Sequence, residues 1–163
     1  MLSKEHGLVL TNLAKIEVGL SKIYQCLSKC HNFTDPVKRF WETIAEEELM
    51  HAKVFNDIRS KANVDKSFQL DIPIDNDQLK LFVNKVNNLL KGIKGKDSKG
   101  LEIYKTEAEA YKFGASVEGN LDEANFFRQI KVDNTEFTKK IQQIDNATKK
   151  HRMIMVNYSR GIK

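Results

Sequence analysis

Glu48 and His51 stand three residues apart in "AEEELMHAKVF", and both fall where an amphipathic helix would carry apolar side chains. Residues at this spacing lie about 60° apart around a helix and about 4.5 Å apart along it, so both can reach one point from one face. Three further polar residues interrupt other apolar stripes of the chain in the same way: Glu17, Glu107 and His151. Leaving an ionised group unpaired in a core costs roughly several kcal/mol. An ion pair would satisfy Glu48 and His51 taken alone. Gathered with Glu17 and Glu107, however, the three carboxylates would repel one another, and a bound cation is the natural remedy. Carboxylate oxygen with imidazole nitrogen suits iron, manganese or zinc better than soft copper. The candidate ligands are therefore Glu17, Glu48, His51, Glu107 and His151.

Long helices must position these residues. A first helix is expected over about 3–30, with Leu10, Leu13, Glu17, Leu20, Tyr24 and Leu27 on one stripe. A second is expected over 36–61, where Asp35 can cap and Pro36 suits the first turn. Its stripe is Val37, Trp41, Ile44, Glu48, His51, Phe55 and Ile58. Pro73 breaks the chain before a shorter helix over 77–92, which "KGKDSKG" ends. A further long helix is expected over 98–118, with Ile103, Glu107, Ala110 and Gly114 on its stripe. The last, over 135–160, presents Phe137, Ile141, Ile144, Thr148, His151, Met155 and Tyr158. The second and last stripes superpose at a shift of one hundred residues, which sets His51 against His151 and Glu48 against Thr148. The first and fourth stripes superpose at a shift of ninety, which sets Glu17 against Glu107. The sequence thus reads as two related helix pairs, with about ten extra residues in the second. The fold expected is an all-α four-helix bundle, one domain over 1–163. A long crossover containing the extra short helix joins the two pairs.

Composition narrows the function classes. Of 163 residues, 40% are hydrophobic and 30% charged, as in an ordinary helix-rich globular protein. No apolar run reaches the length of a membrane span, and the N-terminal residues lack the apolar core of a signal peptide, so a cytoplasmic protein is expected. The net charge of +5 is spread along the chain and interleaved with acids, which argues against a nucleic-acid role. Two cysteines cannot build a disulfide framework or a four-thiolate metal site. Cys26 and Cys30 read as inert core thiols. Glu46 and Glu47 read as solvated face.

The stretches "IEVGLSKIY", "DPVKRFWETIAEEELMHAKVF", "TEAEAYKF" and "NATKKHRMIM" together resemble the ferritin-like superfamily, specifically its rubrerythrin-like di-iron carboxylate branch. The resemblance implies a dinuclear non-haem iron site that handles peroxide or dioxygen, or oxidises ferrous iron, in a context of oxidative stress. It also implies a homo-oligomer, a dimer or larger. Tyr24 and Tyr111 would lie close to the ligands and could orient them or supply electrons. Many rubrerythrins add an iron–thiolate rubredoxin domain; these residues contain none, so a peroxide-reducing activity would need a separate electron donor. Two departures stand out. Thr148 occupies the position of an expected Glu ligand, and Ala110 stands where many relatives carry another Glu. Water or Asp145, one turn earlier, could fill the gap at Thr148, or a single metal could bind through Glu17, Glu48 and His51. The alternatives are oxidation or hydroxylation of an organic substrate at the same metal, or a metal-free helical interaction protein whose site has decayed.

Overall fold

The structure is a computed structural model that describes residues 2–161; the first residue and the last two of the expected 1–163 domain lie outside the described residues. Helix α1 spans Lys4–Ser28, α2 Asp35–Val64, α3 Asn76–Asp97, α4 Glu107–Ala124 and α5 Thr135–Ser159. Helices α1 and α2 form one hairpin and α4 and α5 another, and the two hairpins make the four-helix bundle. The crossover between them contains α3, which lies against α1. Among the described residues, no helix is long and apolar enough to cross a membrane.

Local chemistry sets each start. The Ser3 hydroxyl accepts from His6 N–H at α1, Asp75 accepts from Asp77 N–H at α3, and Asn134 accepts from Phe137 N–H at α5. At α4 a full capping box forms: the Thr106 hydroxyl accepts from Glu109 N–H, and Glu109 accepts from the backbone N–H of Thr106. Asn125 in the left-handed region, with φ of 55°, ends α4.

The end of α3 and both ends of α4 differ from expectation, and the difference at α4 decides the site. The surface glycines 92 and 95 do not stop α3, which continues to Asp97. The capping box delays α4 until Glu107, and the helix then runs through Glu118 to Ala124. Glu118 is therefore an interior residue of α4, while Glu107 is its first residue. A pair of two-residue strands, β1 (Leu70–Asp71) and β2 (Lys131–Val132), ties the crossover to the α4–α5 connection in antiparallel register, Leu70 opposite Val132.

The core is apolar and aromatic, with Trp41, Tyr24, Phe55, Phe126 and Leu10 each essentially inaccessible. Two glycines are required by close approach. A Cβ on Gly19 would lie 2.5 Å from Val86 Cγ1, so glycine lets α3 seat on α1. A Cβ on Gly114 would lie 2.7 Å from Met155 Sδ and 2.8 Å from Trp41 Cη2, so glycine on α4 makes room for the indole. Cys30, two residues past the end of α1, donates to the Cys26 carbonyl, and burial, then Asp97, pushes its thiol up to about 11.

Candidate metal centre

Glu17 on α1, Glu48 and His51 on α2, Glu118 on α4 and His151 on α5 all point into the middle of the bundle. They form two three-residue groups, Glu17–Glu48–His51 and Glu48–Glu118–His151; within each, one ligand atom per residue lies within 4.8 Å of the others. Glu48 belongs to both. Its Oε2 is 2.9 Å from His51 Nδ1, and its Oε1 is 3.3 Å from His151 Nδ1. Glu17 Oε2 lies 3.7 Å from His51 Nδ1, and Glu118 Oε1 lies 4.0 Å from His151 Nδ1. The three glutamates are almost wholly buried.

Three of these atoms, Glu17 Oε1, Glu48 Oε1 and His151 Nδ1, are buried without a hydrogen-bond partner. Native cores rarely leave such groups unsatisfied, because each loses its hydration with no return. A cation among these carboxylate oxygens and imidazole nitrogens would satisfy all three. The residues present therefore fit a metal ion of the iron, manganese or zinc kind.

The electrostatics record the same crowding. Burial, and then repulsion from Glu48, pushes Glu17 well above the usual carboxylate range, and the same two causes push Glu118 up to about 8. Burial also opposes ionisation of Glu48, but His151, His51 and Glu17 outweigh it and hold Glu48 below its ordinary value. Burial disfavours a charged His51, yet Glu17 and Glu48 raise it to about 10, and Glu48, Glu118 and Glu47 raise His151 in the same way. Without a metal, the cluster balances its charge by holding protons on the histidines and on the outer glutamates.

Neighbouring groups fix the orientation of these side chains. Glu47 is partly exposed, but its Oε2 lies 2.5 Å from His151 Nε2, which leaves Nδ1 for the interior; the solvated role expected of it does not hold. Glu46 is exposed. Tyr24 donates to Glu118 Oε1 at 2.6 Å, and burial, then Glu118, pushes its phenol well above the usual range. Tyr111 lies farther out; its ring stacks on Trp41 and on Tyr158, and burial, then Tyr158, raises it to about 12.

Of the sequence-derived candidates, Glu17, Glu48, His51 and His151 come together and Glu107 does not. Glu107 sits at the surface end of α4, where its Oε1 accepts from Thr34 N–H at 2.6 Å and ties the α1–α2 turn to α4. Glu118 takes the position assigned to it. The signal was present: Glu118 follows Glu17 by 101 residues (118 − 17), close to the shift of 100 (151 − 51) that superposes the other two helices. The shift of ninety arose from starting α4 nine residues early, and no block of extra residues is needed. Thr148 is buried, and its hydroxyl donates to Ile144 O at 3.1 Å within its own helix. Asp145 does not fill the gap beside it, because it pairs with Arg128 and Lys149 away from the cluster.

A four-helix bundle that buries two carboxylate–histidine groups around a shared glutamate is of the ferritin-like class. Within that class, the family model for rubrerythrin matches residues 9–136, more than half of the chain, and the chain belongs to the rubrerythrin family. Most of α5, including Thr148 and His151, lies beyond the matched residues. No curated protein and no solved structure matches the chain.

Proposed function

We propose that the protein binds two iron ions in the bundle interior and reduces peroxide there. The observation that carries this reading is Glu48, whose two oxygens face two separate groups of ligands. Glu17 and His51 would hold one ion, Glu118 and His151 the other, and Glu48 would bridge. Iron would supply a redox-active Lewis acid at which peroxide can be polarised. The chain's own residues do the rest. Glu47, at His151 Nε2, fixes the ring so that Nδ1 faces inward. Tyr24 holds Glu118 by its hydrogen bond. The surrounding apolar core, with Trp41, Phe55 and Leu20 fully buried, keeps bulk water out. Each peroxide takes two electrons and two protons to give two waters, and the electrons come from a donor protein outside these residues.

Thr148 favours a second reading, a single ion held by Glu17, Glu48 and His51, because the other end lacks one carboxylate and Thr148 turns its hydroxyl to Ile144. Metal stoichiometry separates the two. Protein purified without added metal is analysed for iron, manganese and zinc, then chelated, reloaded anaerobically with ferrous iron, and assayed for peroxide consumption. Two irons per chain with turnover is the expected result, and Glu48→Ala should lose both ions. No metal as purified, together with no stabilisation by ferrous iron, would overturn the reading.

A further inference from the structure

Four redox-active rings stand in line between the carboxylate–histidine cluster and the surface. Tyr24, hydrogen-bonded to Glu118, has its ring centroid 5.3 Å from that of Trp41. Trp41 stacks on Tyr111 at 5.4 Å, and Tyr111 stacks on Tyr158 at 5.0 Å. Tyr24 and Trp41 are wholly buried, Tyr111 is 4% exposed and Tyr158 is 42% exposed, so exposure rises outward along the line. The rings come from four different helices and from both hairpins: Tyr24 from α1, Trp41 from α2, Tyr111 from α4 and Tyr158 from α5. Gly114 gives Trp41 its place, since any side chain there would strike the indole. Phe40 packs edge-on against Trp41, Tyr111 and Tyr158 and shields the line on one side. Plain core filling would not need tyrosine at these positions. Among the described residues, the hydroxyls of Tyr111 and Tyr158 make no hydrogen bond to the protein, and Trp41 Nε1 is buried without a partner.

We propose that Tyr24, Trp41, Tyr111 and Tyr158 form a one-electron relay between the carboxylate–histidine cluster and a surface entry point at Tyr158. The proposal deepens the reading of the cluster as a redox metal site and rests on it. The electrons originate in a one-electron carrier at the surface and end in peroxide, one at a time. When Tyr24 gives up an electron inward, its phenolic proton passes along the 2.6 Å hydrogen bond to Glu118 and returns when Trp41 refills the ring. Trp41 passes the electron and keeps its proton, because Nε1 has no acceptor. Tyr111 and Tyr158 line the same open groove, so their phenolic protons leave to solvent on oxidation and return on reduction. At Tyr158 the carrier is oxidised by one electron and the ring is restored.

The chain has one tryptophan, which makes the relay testable without metal. In chelated protein, an ultraviolet pulse ionises Trp41, and hexaamminecobalt(III) captures the ejected electron and becomes cobalt(II). Ferrocyanide then serves as the surface reductant, each ion giving one electron and becoming ferricyanide. The rate at which ferrocyanide removes the buried radical is read by transient absorption and electron paramagnetic resonance. Tyr111→Phe and Tyr158→Phe should each slow that rate at least tenfold, while Tyr104→Phe leaves it unchanged. Phenylalanine keeps the ring in place and the lost hydroxyls hold no protein partner among the described residues, so circular dichroism should show all three variants folded. An unchanged rate in Tyr111→Phe overturns the relay. Because no metal is present, that outcome leaves the peroxide reading untouched, and failed metal loading leaves this measurement untouched.

Discussion

Glu118→Gln, set against Glu107→Ala, separates the two carboxylates that compete for one role. Glu118 is buried beside Glu48 and titrates at about 8, against an ordinary 4.5. At pH 7 the folded metal-free protein therefore holds a proton there that the unfolded chain has released. Forcing that protonation corresponds to about 2.5 units at 1.36 kcal/mol each, roughly 3 kcal/mol as an upper figure. Glutamine is the same shape, stays neutral, and can still accept from Tyr24. The chelated Glu118→Gln protein should gain up to about 3 kcal/mol, or roughly 6–12 °C in melting temperature for a domain of this size. The same variant removes a charged ligand from the group with His151. Its metal affinity should fall by more than the ~10–100-fold lost when an outer partner of a ligand is removed. Glu107→Ala should show neither effect. It removes only the tie to Thr34 N–H, about 1 kcal/mol, and keeps its full metal complement. The assays are thermal melts of chelated and ferrous-loaded protein, with elemental analysis of each. A destabilised chelated Glu118→Gln, or metal lost from Glu107→Ala and retained in Glu118→Gln, would refute the reasoning.

The same cluster sets three other expectations. Thr148→Glu places a carboxylate beside His151 and should raise the metal bound per chain, measured by elemental analysis after anaerobic loading; a flat result would mean that geometry, not ligand number, limits binding. In chelated protein, Glu118 binds its proton more tightly when folded between pH 4.5 and about 8, and His51 does so between 6.5 and about 10. These groups stabilise the fold at low pH and lose that contribution as pH rises through those windows. Metal displaces the same protons, so the stabilisation by zinc or ferrous iron should grow from pH 6 to pH 8, and thermal melts that show it shrinking would contradict the assignment. Gly114→Ala drives a Cβ into Met155 and Trp41 and should cost about 1–3 kcal/mol in chemical denaturation, with a shifted Trp41 fluorescence.

Periodicity and residue type were enough to show the helices and most of the cluster. Glu17, Glu48, His51 and His151 interrupt apolar stripes, and a polar group on a core face is informative in one dimension because burying it needs a reason. The stripes also showed the pairing of the helices into two hairpins. What one dimension could not fix was phase along α4. Glycines 92 and 95 suggested an early break, and "TEAEAYKF" offered a glutamate on a plausible stripe. Only the capping box at Thr106 set the helix start, and so carried Glu118 rather than Glu107 into the interior. The partner choices of Glu47, Asp145 and Thr148 were likewise settled in space. Adjacent residues such as Glu47 and Glu48 point about 100° apart on one helix. Which of them meets His151 Nε2, and which bridges two groups, depends on how α5 packs across α2. Sequence alone determined that carboxylates and imidazoles would be buried on long helices, because the pattern of side chains along a helix is local. Tertiary packing decided which of them share a centre, because convergence depends on the register between helices far apart in the chain.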